Sequence, residues 1–192
     1  MMSARKIWLR DQTSILAIIV LCYLLSFAMV IWVSIPFNDI MVERLGFGWV
    51  ICLPHGVSIL VFWMFRWPGA AYLIVAKLFA SSVLFIDSAT GPLALIFQLE
   101  SLLAIICAFY LFSGLSSLLH TKSTTLPSWR DLMIVASIAA AFHAGVYKLV
   151  TGAPWGTTSA IFLGNVAGMF LVLIILMIAF RALRRSAPKN PS

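Results

Sequence analysis

The chain has 192 residues, of which 62% are hydrophobic and only 10% are charged. A folded soluble domain of this size could not bury so much apolar surface, so the composition excludes a soluble protein and indicates one integral membrane domain. The formal net charge of +7 comes from Lys and Arg residues that mostly flank apolar stretches, and this distribution excludes a nucleic-acid-binding role.

Six apolar stretches are each long enough to cross a hydrocarbon core about 30 Å thick. They predict an all-α fold, a six-helix transmembrane bundle with short connections. The first stretch is longer than the roughly 15-residue core of a signal peptide, and no small-residue cleavage site follows Ile35, so we expect a retained span. The predicted spans are residues 14–35, 48–66, 69–87, 93–119, 131–150 and 158–180.

Basic residues are concentrated on alternate connections between the predicted spans. By the positive-inside rule, we expect these connections and both termini to be cytoplasmic. The chain then divides into a basic cytoplasmic N-terminus (1–13), a six-span domain (14–180) and a basic cytoplasmic tail (181–192). The residues on this side are Arg5, Lys6, Arg10, Arg66, Lys122, Arg130, Arg181, Arg184, Arg185 and Lys189.

Small residues and one proline mark positions where helices are expected to pack closely. Gly164 and Gly168 are four residues apart in the last span, a spacing that lets helix backbones approach each other in lipid. In the second span, Pro54 and Gly56 flank a histidine. Proline inside a helix frees a carbonyl one turn earlier, here near Val50.

Four polar residues from four different spans lie at one predicted depth. Counted at 1.5 Å per residue, they are each roughly 10 Å from the outer end of their helix. Polar side chains are costly at that depth unless they have partners or a function. We therefore predict a polar cavity, open to the outside, that binds a small molecule. Its residues are His55, Glu100, His143 and Asn165.

Lys77 lies near the middle of the third span, about 8 Å deeper than Glu100. A lysine stem can extend about that far, so we predict a Lys77–Glu100 ion pair inside the bundle. Structural interpretations stay open for all these residues. The ion pair could only fix which helices meet, His55 could satisfy the carbonyl freed by Pro54, and His143 and Asn165 could join helices by hydrogen bonds.

Sequence motifs for catalysis or metal binding are not found. The chain contains no Gly-x-Ser-x-Gly elbow, phosphate loop or nucleotide fingerprint. Cys22, Cys52 and Cys107 all lie within spans and have no zinc-type spacing, so we interpret them as small apolar residues. We expect no enzymatic activity, no cofactor and no metal, although two histidines with Glu100 would suit a metal by ligand type.

Two segments resemble the membrane-associated sensor domain of the first MASE type, a bacterial family. Residues 53–57 (LPHGV), followed by an apolar span and residues 66–69 (RWPG), are similar to the family's Pro-x-Gly and Trp-Pro signature. Trp155 with residues 164–168 (GNVAG) resembles its later tryptophan and Gly-Asp-x-x-Gly segment, and Glu100 falls where the family often has an acidic residue.

The resemblance implies a sensor-like protein of the bacterial inner (plasma) membrane. Its matching positions are Pro54, Gly56, Glu100, Asn165 and Gly168, with Asn165 in place of the usual aspartate. The family usually has more spans and a fused kinase or cyclic-dinucleotide domain. Signalling here would therefore need a separate partner, contacted through loop 120–130 or the basic tail.

Two alternatives to a sensor stay open. The chain has the length and apolarity of the six-helix substrate-binding subunits of vitamin uptake systems, in which small residues on the fifth span would dock to a coupling subunit. The other alternative is a structural or assembly protein without a ligand, whose polar residues only join helices.

Overall fold

The computed structural model describes residues 2–37, 39, 51–84, 91–118 and 128–186, with side chains for 11–37, 39, 51–83, 95–117 and 128–185. In this part of the chain all regular secondary structure is helical, which confirms the predicted all-α class. The helices are α1 (Met2–Met29), continued by a π-helical segment (Val30–Ser34), α2 (Leu53–Phe65), α3 (Trp67–Leu84), α4 (Gly91–Leu118), α5 (Trp129–Thr151) and α6 (Trp155–Ser186).

Each helix corresponds to one of the six predicted apolar stretches. The first helix begins at Met2, so most of the region predicted as a basic N-terminus extends the first span as helix. Four helical segments among the described residues are long and apolar enough to cross a membrane, whereas α2 and α3 are shorter. The four are Asp11–Phe37, Leu95–Ser117, Trp129–Thr151 and Trp155–Arg185.

The outer surface of the bundle is apolar. Large hydrophobic side chains such as Trp32 and Leu149 are 78% and 86% exposed. Water would penalise such a surface, whereas lipid tails accept it. The exterior therefore suits a bilayer, as the sequence composition predicts.

Helix α2 lies at the centre of the bundle. It packs against each of the five other helices, and from Leu53 to Phe62 only Val57 is not fully buried. A helix that is apolar on all sides belongs in such a central position. The remaining helices surround α2, and side chains from every neighbour can reach it.

The N-terminus of α2 lies in the middle of the bundle, against α6. The extended residue Cys52 donates its backbone N–H to the Gly164 carbonyl at 2.9 Å, and Gly168 lies directly against the Cys52 carbonyl. Gly168 is midway between Trp155 and Arg181, about 20 Å from each along α6. Because α2 has 13 residues, its length is only about half the distance from Trp155 to Arg181 along α6.

This position changes the predicted role of Pro54. The helix begins at Leu53, not at residue 48, so Pro54 occupies the first turn, where no intrahelical N–H bond is lost. Pro54 therefore does not interrupt a helix, and His55 is not required to satisfy a carbonyl that it frees. Val50, the predicted site of that carbonyl, lies outside the described residues.

A tight turn joins α2 to α3. Arg66 adopts φ 55° and ψ −128°, a conformation that side chains disfavour. A Cβ atom at Gly69 would lie 2.6 Å from the Val61 carbonyl oxygen, so glycine allows α3 to start directly against the last turns of α2. The guanidinium of Arg66 lies 5.7 Å from the Phe109 ring centroid on α4, a cation–π contact that helps to hold the turn.

Gly168→Ala tests the close contact between α2 and α6. Its Cβ would overlap the Cys52 carbonyl and lie 3.0 Å from the Leu53 nitrogen, so we expect the free energy of unfolding to fall by about 3 kcal/mol. The matched control is Gly145→Ala, whose Cβ meets no atom within 4 Å. It should be neutral or stabilise by up to about 1 kcal/mol. Denaturation in detergent, followed by circular dichroism, measures both; equal effects would contradict the close contact.

Candidate functional site

Glu100 and His143 form a direct pair between α4 and α5. The Glu100 Oε2 and His143 Nδ1 atoms are 2.5 Å apart, and each side chain is 17% exposed. A hydrogen bond between a carboxylate and an imidazole is stronger than one between neutral groups. These two predicted site residues are therefore brought together, and they join α4 to α5 at the level of the α2 N-terminus.

His55 extends this pair toward the centre of the bundle. Its ring stacks on His143, with ring centroids 6.4 Å apart and an interplanar angle of 27°. The Phe97 ring packs edge-on against His143, with ring centroids 6.4 Å apart and an interplanar angle of 86°. His55 is only 5% exposed, and its Nε2 atom has no hydrogen-bond partner among the described residues. A polar atom buried in this way is costly to leave unpaired.

Asn165 lies on the buried face of α6. It is 2% exposed, and its Nδ2 atom also lacks a hydrogen-bond partner in the described part of the chain. His143 is nine positions before the turn residue Gly152, and Asn165 is ten positions after Trp155, so both are about 14 Å from that end of the bundle. Counted in this way, Asn165 lies at the depth of the histidine pair.

Three buried side-chain polar atoms lack hydrogen-bond partners among the described residues, and two of them belong to the predicted site. The third is Ser81 Oγ on α3. Since buried polar atoms are paired in the great majority of cases, finding both His55 Nε2 and Asn165 Nδ2 unpaired at one depth indicates a place where another group can bind.

Lys77 does not form the predicted ion pair with Glu100. Its Nζ atom instead donates to the Tyr23 hydroxyl at 3.0 Å and to Ser101 Oγ at 2.9 Å. Tyr23 in turn donates to the Gln98 side-chain carbonyl at 2.8 Å. This Lys77 network joins α1, α3 and α4, and its lysine is only 2% exposed.

The reason for the different pairing is the direction of successive residues around α4. Neighbouring residues in a helix point about 100° apart. Ser101 points to α3 and meets Lys77, while Glu100 points to α5 and meets His143. The prediction of a Lys77–Glu100 ion pair was based on depth and helix face, and these do not give the rotation of α4 about its axis.

Sequence reasoning missed three members of the Lys77 network: Tyr23, Gln98 and the Ser101 hydroxyl. Tyr23 offered a signal, because it lies in the middle of an apolar stretch, whereas most other Trp and Tyr residues lie near the ends of stretches. A buried tyrosine hydroxyl needs a hydrogen-bond partner. Gln98 and Ser101, three residues apart, share one face of α4 and supply partners there.

The arrangement offers hydrogen-bonding groups. No three His, Cys, Asp or Glu side chains among the described residues come together as metal ligands would. Cys22 and Cys107 are exposed on the apolar exterior. What the site offers is one carboxylate–imidazole pair and unpaired nitrogens in an environment from which water is largely excluded.

Fold and site together define a class: a helical bundle with an apolar exterior, four helices suited to cross a membrane, and polar side chains collected in its interior. No family model matches the chain, and neither a curated protein nor a solved structure matches it.

A double-mutant cycle tests which partner Glu100 has. We expect Glu100→Gln and His143→Phe to couple by about 1–3 kcal/mol in the free energy of unfolding, since the first removes the charge and the second the ring nitrogen of one charge-assisted hydrogen bond. The cycle of Glu100→Gln with Lys77→Met should give a smaller coupling, because those side chains bond to other groups. Thermal denaturation in detergent measures all the variants. A larger coupling to Lys77 than to His143 would contradict the pairing.

Proposed function

We propose that this protein is a multi-pass module of the bacterial inner membrane that binds a small molecule in its interior polar site and acts through a separate partner protein. The observation that carries the proposal is the pair of buried nitrogens, His55 Nε2 and Asn165 Nδ2, that have no hydrogen-bond partner among the described residues and lie at the depth of the Glu100–His143 pair. Leaving a buried polar atom unpaired costs about 1–3 kcal/mol. A ligand that pairs with both atoms removes that cost and gains affinity from it.

The direction of ligand entry follows from the distribution of charge. Arg66, Arg130 and Arg184 lie at one end of the bundle, and the turn 152–154 lies at the other. By the positive-inside rule, the arginine end and both termini are cytoplasmic. The ligand then enters from the turn side, from which the site is about 14 Å deep.

Sensing is the role that we favour for this module. The resemblance of residues 53–57 and 164–168 to the first MASE type supports it, and those two segments meet in the structure where Cys52 and Gly56 contact Gly168. The partner would be contacted through loop 120–130, of which residues 120–127 lie outside the described residues, or through the basic tail after Arg181.

Transport as a substrate-binding subunit is the less favoured role. It needs a free face of small residues on α5 for a coupling subunit. Ala136, Ala139, Ala140 and Ala144 are all at most 3% exposed within the single chain, so they already pack α5 against its neighbours. Ala141 is exposed, and a Cβ atom at Gly145 would meet no atom within 4 Å, so of the alanines and glycines on α5 only these two are left for a coupling subunit to contact.

Glu100→Gln tests ligand binding. We expect one or more compounds from a panel of vitamins, amino acids, metal ions and common metabolites to raise the melting temperature of the wild-type protein. At a hundredfold excess over Kd, the stabilisation should be about 2.7 kcal/mol. Glu100→Gln should remain folded and lose this shift, because it removes the charge that holds His143.

The matched control is Asp11→Asn. It also replaces a carboxylate by its amide, but at an exposed position in the first half of α1, far from the site. It should keep the full shift. If no compound stabilises the wild-type protein and Glu100→Gln alone prevents folding, the site is structural, and an assembly role replaces the proposal.

Reporter fusions test the orientation. Green fluorescent protein fused after Ser192 should fluoresce, because the cytoplasm allows it to fold, and alkaline phosphatase inserted at Ala153 should be active on the opposite side. Active phosphatase at the C-terminus together with inactive phosphatase at Ala153 would reverse the orientation and the direction of ligand entry.

A further inference from the structure

The start of α2 places the N-terminus of a helix in the middle of the bundle. The first N–H groups of any helix lack an intrahelical acceptor. Here the Cys52 N–H bonds to the Gly164 carbonyl, and Pro54 has no N–H. Aligned peptide dipoles add a partial positive charge there.

Two side-chain nitrogens lie near this helix end. His55 belongs to the first turn of α2 and has an unpaired Nε2. Asn165 lies between Gly164 and Gly168, both of which contact Cys52, and its Nδ2 can only donate hydrogen bonds. Both residues are at least 95% buried. Among the described residues, the buried side-chain atoms without partners near this helix end are therefore one amide nitrogen and one imidazole nitrogen.

The surrounding charges favour an anion as well. Lys77 is buried, hydrogen-bonds only to hydroxyl groups among the described residues, and interacts electrostatically with both His55 and Glu100. Glu100, the acidic residue at this depth, is already paired with His143. A cation entering here would meet the positive end of α2 and Lys77, whereas an anion is attracted by both.

We propose that the first turn of α2, together with His55 Nε2 and Asn165 Nδ2, binds the carboxylate group of a small molecule. A helix that starts in the middle of a membrane bundle presents its N-terminus to an anionic group at a depth where water cannot screen the attraction. Donation by Asn165 Nδ2, and by His55 when its proton is on Nε2, offsets the cost of removing the carboxylate from water. This inference rests on the proposed function, whose ligand it assigns to a chemical class.

Matched probes test the carboxylate directly on the full-length protein in detergent. Lactate, succinate and benzoate are compared with lactamide, succinamide and benzamide, which keep the carbon skeleton and lose the charge. Laurate and lauramide form a further arm, which distinguishes a ligand that enters from the bilayer from one that is soluble in water. Thermal shift and isothermal titration calorimetry give the affinities.

Asn165→Asp is the decisive variant. It keeps the shape of the side chain but replaces the donor Nδ2 with an acceptor and, when ionised, adds a negative charge. Asn165→Leu removes the donor without adding charge. We expect the carboxylate affinity of both variants to fall by about tenfold or more. The matched control is Thr158→Val on the same buried face of α6. The Thr158 hydroxyl bonds to the Pro154 carbonyl, close to its own position in the chain, so the affinity should not change.

The outcomes separate this inference from the proposed function. Binding of a carboxylate but not its amide, lost in both Asn165 variants and kept in Thr158→Val, supports the inference. If amides or other compounds without an anionic group bind, and Glu100→Gln abolishes that binding, the proposed function stands. The assignment of the ligand as a carboxylate is then overturned. If no carboxylate probe binds the wild-type protein and Asn165→Leu raises the melting temperature, Asn165 is an unpaired packing residue and the inference fails.

Discussion

The structure depends on one constraint: α2 begins in the middle of the bundle, and the backbone around its first residues must be satisfied by protein. Lipid offers no hydrogen bonds, so non-helical backbone at membrane depth is tolerated only when other segments bury and pair it. Ser34 bonds to the Ile51 backbone, and the Gly164 carbonyl accepts from Cys52. Glycine at position 168 lets the two backbones come close enough for these contacts. The end of α1 and the middle of α6 thus fix where α2 starts.

A central helix whose first turn lies inside the bundle organises the polar residues around it. Two groups result: the Glu100–His143 pair with His55 stacked on it, and the Lys77 network with its hydroxyl partners. The Lys77 network is internally satisfied and joins three helices, so its physical role is to hold the bundle together. The histidine side of the site is left partly unsatisfied. Unpaired polar groups persist where binding compensates for their cost, which is why a ligand is assigned to this side and not to Lys77.

The polar residues show how far a sequence can be interpreted in a membrane protein. His55, Glu100, His143 and Asn165 can be chosen from sequence because lipid excludes polar groups, so any that occur in a span must face the interior. Counting residues along each helix also gives their common depth. Their partners cannot be obtained in this way. The rotation of α4 that directs Glu100 to α5 and Ser101 to Lys77 is set by side-chain packing along the whole helix, to which no short motif corresponds.

By itself, the sequence determined the all-helical class, the apolar exterior and the six stretches that become helices. Hydropathy is sufficient for this, because a span must satisfy its own backbone and a helix is the local way to do so. The tertiary structure alone decided that α2 starts at Leu53 in the centre of the bundle and that Tyr23 and Ser101 pair with Lys77. It also decided that two buried nitrogens at one depth have no partner among the described residues. These features depend on the offset and rotation between helices, which arise only when all six pack against one another.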